Sequence, residues 1–301
     1  MKSTKTFTKA ILAAVGVYTL WGFSFMASKV GQEHVKPFVL LAYRFDIAIL
    51  LLSIPVLLGR QKIKLRGKKI VPLLLLGFME PCIYFIGEQY GIRLTNSAFS
   101  GVMIAVIPIV TLIMAAVFLK DRPTTPQWIF SLLSIAGIIV ITLAENGGGE
   151  LSAIGVLCLV LAVVAGSAYS VISRGISDEF SVYERTYIMQ IMGAVFYTTL
   201  ALIEQGGDVA AIIAPAANLD FVLAALYLSI GASVLGYTLF NYAVSNAPMA
   251  NVMSLCNLTT VISVIAGIVI LGEPFSIVSI IAMLAVLVGI WGVQKYGPKT
   301  E

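Results

Sequence analysis

Charge is scarce in this chain. Asp, Glu, Lys and Arg make up 11% of its 301 residues, 59% are hydrophobic, and the mean hydropathy is +0.99. A soluble domain carries about 25% charged residues, so a water-facing surface could not be covered. The same balance excludes a disordered chain, which needs low hydrophobicity and high charge. Histidine is almost missing, with His34 alone in a short connection. The three cysteines, Cys82, Cys158 and Cys256, are odd in number and each lies in an apolar stretch. No disulfide framework or zinc-ligand spacing is present, and no cofactor is implied. HExxH and GxSxG are absent, so an intramembrane enzyme would lack its nucleophile–base pair or metal cluster, and no catalytic residue is expected. The charged rings or carbonyl filter of a channel are not legible either. The net charge of +4 is concentrated in one short loop, Lys62, Lys64, Arg66, Lys68 and Lys69. That placement suits a cytoplasmic membrane-surface loop rather than a nucleic-acid site.

What the chain does have is long apolar runs. Ten are readable: Ala10–Val30, Phe38–Leu58, Ile70–Tyr90, Ala98–Leu119, Gln127–Ala144, Ser152–Ile172, Val182–Ile203, Asp220–Ala243, Met249–Leu271 and Phe275–Gln294. Each is near the ~20 residues needed to cross ~30 Å of hydrocarbon. They are about twice a barrel strand and do not alternate. Helices satisfy the backbone internally in lipid. The first run begins like a signal segment but outlasts a signal core, so it reads as a mature helix. The seventh is diluted by Glu184, Arg185 and Gln190. With the N-terminus in the cytoplasm, 15 of the 19 Lys and Arg residues fall inside or at the inner boundary. The loops Glu145–Leu151 and Glu204–Leu219, which then lie outside, contain none. By the positive-inside rule, the chain is expected to be a multi-pass protein of the cell membrane with both termini cytoplasmic.

The runs also repeat. Tyr90–Met103 aligns with Tyr242–Leu255 at a shift of 152, and the same shift sets Asp121 on Glu273 and Gly137 on Gly289. Ala27-Ser28-Lys29 resembles Ile172-Ser173-Arg174 at a shift of 145. The expected fold is an all-α integral membrane protein of ten transmembrane helices in two inverted five-helix repeats, residues 1–147 and 148–301. Five is odd, so the second repeat enters from the opposite side, an arrangement recurrent in secondary transporters.

Trp21-Gly22-Phe23-Ser24-Phe25, Tyr43-Arg44-Phe45, Leu119-Lys120-Asp121-Arg122 and Leu271-Gly272-Glu273-Pro274 carry a resemblance, over nearly the whole chain, to the EamA-type branch of the drug/metabolite transporter superfamily. The resemblance implies ten helices in two inverted halves and a central cavity lined chiefly by helices one, three, four, six, eight and nine. It implies a carrier of amino acids, related metabolites or amphiphilic toxins, commonly acting outward. The Lys-Asp of the first-half turn departs from the commoner Gly-Glu at a joint read as structural.

Ionisable groups inside a span cost roughly 2.5–3.5 kcal/mol near its centre, so Glu80 and Glu88 in the third run stand out. With Tyr84 between them at four-residue steps they form one helical stripe, and Pro81 bends the helix there. A neutral Glu80 would carry a proton; a charged one would pair with a solute ammonium. The eighth run offers Tyr237 and Asn241 on one face, and the repeat sets Asn241 opposite Gln89. Ser254 and Asn257 in the ninth run serve either a ligand or helix–helix association. Trp21, Ser24 and Tyr169 complete the substrate-binding candidates. Arg44 reads mainly as a snorkelling structural cation, paired with Asp46 or Glu33, and Pro108 as a hinge or a static bend. The expected partners are a small organic solute and the bilayer, with monomer or homodimer left open. The expected activity is efflux of an amino acid or related metabolite by alternating access. The alternative is a broad exporter of cationic or amphiphilic drugs.

Overall fold

The computed structural model describes residues 4–94, 103–104, 106–121, 123–145, 152–271 and 277–296. Lys2, Ala98, Arg122, the Gly272-Glu273-Pro274 turn, Phe275, Lys299 and the boundary at 147/148 lie outside them. Among the described residues every regular element is a helix. Six helical spans are long and apolar enough to cross a membrane: Thr4–Gln32, Pro37–Leu57, Ile70–Gly91, Ala153–Gly175, Val182–Glu204 and Leu219–Asn246, of which Ile70–Gly91 is interrupted at Glu80. Four shorter apolar helices, Ile107–Phe118, Thr125–Val140, Met249–Ile262 and Ile280–Lys295, fall on the fourth, fifth, ninth and tenth runs.

Local chemistry sets the ends. Pro37 opens the second helix, where its fixed φ fits and its missing N–H costs nothing. Ser181 and Glu184 form a reciprocal capping box at the start of Val182–Glu204. Glu184 also accepts Lys68 Nζ at 2.8 Å and the Lys64 N–H at 2.9 Å. The basic loop is thereby tied to a helix N-terminus, where a carboxylate is favoured. The run read as the loop Glu204–Leu219 contains a short helix, Val209–Ile213, capped by Asp208.

The surface is apolar and the interior holds polar groups. Leu50, Val71, Leu157 and Ile281 are each more than 60% exposed, whereas Ser173, Thr186, Gln190 and Asn241 are fully buried. Apolar patches this extensive are not left open to water by soluble monomers. They suit lipid, which shares no hydrogen bonds and so leaves the polar groups to pair inside.

Packing follows a few long contacts. Thr125–Glu145 runs along Ile277–Lys295, and Pro37–Leu57 runs along Val182–Glu204. Tyr84–Leu94 packs on Ala153–Gly175, and Thr4–Gln32 on both Gly236–Asn246 and Leu258–Leu271. Glycine permits close approach between Thr125–Glu145 and Ile277–Lys295. A Cβ on Gly137 would lie 2.7 Å from the Ala282 carbonyl oxygen, and one on Gly289 would lie 2.7 Å from the Phe130 carbonyl oxygen.

Candidate functional site

The third apolar run is not one continuous helix. Ile70–Gly77 is helical, Glu80 is extended (φ −141°, ψ 120°), and the helix resumes as Tyr84–Leu94. Pro81 is the cause: it has no N–H to donate and disfavours helical geometry in the residue before it. Backbone freed at such a break needs other partners in lipid. The Tyr197 hydroxyl supplies one, lying 3.0 Å from the carbonyl oxygens of both Pro81 and Cys82. The break corrects the four-residue stripe. Tyr84 and Glu88 share a regular helical face, with the tyrosine hydroxyl donating to the carboxylate at 2.9 Å. Glu80 reaches the same space from extended backbone.

That space is a cavity of about 470 Å³, within the 300–1,000 Å³ typical of small-molecule sites. Glu80, Tyr84, Glu88, Trp21, Ser24, Tyr169 and Tyr237 all line it. Glu80 accepts the Tyr237 hydroxyl at 2.6 Å, joining the third run to the eighth. Below lies an aromatic floor. The Trp21 ring meets Tyr237 at 5.4 Å and Phe240 at 5.5 Å, and Tyr169 stacks on Phe240 at 5.4 Å. Trp21 Nε1 donates to the Ala232 carbonyl at 3.0 Å, which holds the indole in place. Lys29 and Gln32, both exposed, stand at the rim.

The structure does not bring Asn241, Ser254 and Asn257 to the cavity. Asn241 is buried among helices, accepting from Ser173 and Tyr169 hydroxyls and donating to Thr186 Oγ1 at 3.0 Å. Ser254 accepts from Gln294 Nε2 at 3.0 Å, and Asn257 Nδ2 donates to Ser134 Oγ at 2.7 Å. Gln89, paired with Asn241 by the repeat, does line the cavity.

Other lining residues were not singled out from sequence: Tyr18, Phe240, Cys256, Thr259 and Arg44 as a wall residue. Tyr18 lies one turn before Trp21, and Phe240 one turn after Tyr237, so helical spacing from the candidates already chosen was a usable signal. The Tyr18 hydroxyl is buried without a hydrogen-bond partner among the described residues. Asp46 does not pair with Arg44; it accepts Thr198 Oγ1 at 2.8 Å.

Two arginines outside the cavity lining tie the neighbouring helices together. Arg185 is fully buried. It donates to the Ser173 carbonyl and hydroxyl, to the Asn241 carbonyl at 3.1 Å and to Ser245. Arg174 donates to the Val244 carbonyl at 2.9 Å and to that of Ala247, and lies 3.6 Å from Asp121. Among the described residues no cluster of three or more His, Cys, Asp or Glu side chains is arranged to hold a metal ion.

The family model of the EamA-like transporter family matches the chain twice, over residues 8–143 and 153–294. An uncharacterized transporter of Bacillus subtilis (strain 168), YcxC, is 31% identical over 288 residues, covering 95% of this chain and 92% of its own. An uncharacterized transporter of Archaeoglobus fulgidus is 23% identical over 290 residues, covering 95% and 99%. The uncharacterized inner membrane transporter YedA of Escherichia coli (strain K12) is 25% identical over 278 residues, covering 90% and 86%. A solved crystal structure superimposes with a TM-score of 0.79 at 20% identity, over 96% of this chain and 97% of the other.

Proposed function

Because the chain belongs to the EamA-like transporter family, within the drug/metabolite transporter superfamily, we propose that it is a secondary carrier of a small organic solute, an amino acid or related metabolite, moved outward across the cell membrane by alternating access. In this reading the four shorter apolar helices also span. The ten helices form two inverted halves, residues 1–147 and 148–301, with both termini in the cytoplasm.

Two features support the inverted duplication. The family model matches each half separately, and the packing is nearly unchanged when the halves are exchanged. The second helix lies on its counterpart Val182–Glu204, and the fifth on its counterpart Ile277–Lys295. Tyr84–Leu94 on Ala153–Gly175 mirrors Gly236–Asn246 on Thr4–Gln32. The Gly137 contacts with Ala282 and Val286 mirror the Gly289 contacts with Phe130 and Ser134, each pair related by the shift of 152.

One observation carries the function: a cavity walled by both halves, with the Glu80–Tyr237 bond crossing between them at its floor. In the proposed orientation its rim at Lys29 and Gln32 faces outward, and the Arg174 and Arg185 clusters close the cytoplasmic side. Glu80 either holds the solute's ammonium group or carries a coupling proton. In the binding role its charge-assisted hydrogen bond is worth about 1.5–3 kcal/mol, or about 10- to 150-fold in affinity. The test is saturable, counterflow-competent solute uptake into sealed vesicles. Glu80→Gln is expected to lower it at least about tenfold, while Asp121→Asn, which alters a partly exposed pair worth ~0–1 kcal/mol, changes it a few-fold at most. Equal losses in the two variants would remove Glu80 from the mechanism.

A second reading, a broad exporter of cationic or amphiphilic drugs, is favoured by Glu80, Glu88 and the aromatic floor. Aromatic faces attract cations by about 0.5–2 kcal/mol each.

A further inference from the structure

Arg44 is the unexplained charge of the cavity. It sits about two turns into the Pro37–Leu57 helix and is only 5% exposed, where an ionised side chain needs a partner. Among the described residues it has no carboxylate within ion-pair distance. Asp46 is engaged by Thr198, and the oxygens of Glu80 and Glu88 that accept hydrogen bonds take them from tyrosines. A single hydrogen bond fixes the side chain: Nε donates to Ser233 Oγ at 2.7 Å. The guanidinium carbon lies 4.8 Å from the Phe85 ring centroid and 5.5 Å from that of Phe45. Two rings and one bond at Nε therefore set its plane. The two terminal nitrogens make no hydrogen bond among the described residues, and Arg44 lines the same cavity as Glu80 and Glu88. A planar fork with its outer edge unused is matched to a carboxylate, which it binds through two parallel hydrogen bonds.

We propose that Arg44 receives the carboxylate of the solute while Glu80 or Glu88 receives its ammonium group, so that the cavity selects zwitterions with an apolar body over plain amines and plain acids. Deepening the carrier reading, this rests on the cavity being the solute site. Charge accounts for the preference. A cation alone would meet the carboxylates and leave Arg44 unpaired and buried. An anion alone would leave the carboxylates so. A zwitterion satisfies both, and the aromatic floor takes the side chain between them.

The experiment uses the full-length purified protein and matched probes that share one apolar body. These are phenylalanine, phenethylamine and 3-phenylpropionate, with leucine, isoamylamine and 4-methylpentanoate as a second series. Affinities are read by calorimetry or by competition. In at least one series the wild type is expected to bind the zwitterion at least tenfold tighter than the amine. Arg44→Gln should bring that ratio to near one, chiefly by weakening the zwitterion, and Arg44→Lys should restore part of it. Ser233→Ala keeps the charge but releases the guanidinium, and lowers the ratio severalfold. This second variant keeps the test decisive where Arg44→Gln does not fold. Equal weakening of zwitterion and amine in the Arg44 and Ser233 variants, or a wild type that prefers the amine, would overturn the assignment and leave the carrier reading standing. A wild type that binds no member of either series would overturn the carrier reading for this solute class, and Arg44's role with it.

Discussion

Replacing Gly137 with alanine sets a methyl group 2.7 Å from the Ala282 carbonyl oxygen and 2.8 Å from Val286 Cγ2. At Gly289 the methyl would meet Ser134 Cβ at 2.6 Å and the Phe130 carbonyl oxygen at 2.7 Å. Carbon contacts are most favourable at about 3.5–4.0 Å, and a backbone oxygen cannot swing aside. The two helices must therefore part by several tenths of an ångström. Overpacking of this kind costs about 1–3 kcal/mol, while alanine returns up to about 1 kcal/mol of helix propensity. The net expectation is a loss of up to about 2 kcal/mol for each variant, or a fall of a few degrees in melting temperature. The double variant should lose less than the sum, because the helices have already separated for the first methyl. Gly16 is the control. Its added Cβ would lie 3.4 Å from the flexible tip of Leu239, so Gly16→Ala keeps the propensity gain and is neutral or stabilising. Thermal unfolding in detergent reads all four variants. Stabilisation of Gly137→Ala and Gly289→Ala to the extent of Gly16→Ala would refute the packing reasoning.

Tyr197→Phe removes the hydroxyl shared by the Pro81 and Cys82 carbonyls. It should destabilise by about 1–3 kcal/mol, the cost of stranding buried acceptors, and a melting temperature within error of wild type would show that another group serves the break. Topology is tested in a background lacking Cys82, Cys158 and Cys256. Lys64→Cys and Asp178→Cys are expected to react with an impermeant thiol reagent from the cytoplasm only, and Asp208→Cys from outside only; the reverse pattern for Asp208→Cys would invert the second half.

Most of the helical architecture was readable because in lipid each apolar run must satisfy its own backbone, so run length reports directly on the element. The capping box at Ser181 and the break at Pro81 are local chemistry, visible as Ser-x-x-Glu and as a proline within an apolar run. Glu80, Tyr84, Glu88, Trp21, Ser24, Tyr169 and Tyr237 stand on one cavity because a costly or amphipathic side chain in an apolar run needs a polar or wet neighbour. The same rule does not separate a ligand from another helix as that neighbour. Asn241, Ser254 and Asn257 met the rule equally, and they pair with Thr186, Gln294 and Ser134 across helix contacts. Arg44 shows the converse. Its position near a span's start suggested snorkelling, and only the packing of Phe45, Phe85 and Ser233 around it turns the guanidinium inward. The Ser233 contact joins residues 189 positions apart, beyond any spacing rule within one helix.

The central claim is a wet cavity between two halves that opens to either side in turn. Ser24 lines that cavity, and Ser24→Cys in the cysteine-free background tests the claim most directly. Reconstituted with known sidedness, this cysteine is expected to react with an impermeant reagent added to either face, and bound solute should slow both reactions. A cysteine that reacts from neither face, or from one face under every condition, would contradict an alternating carrier.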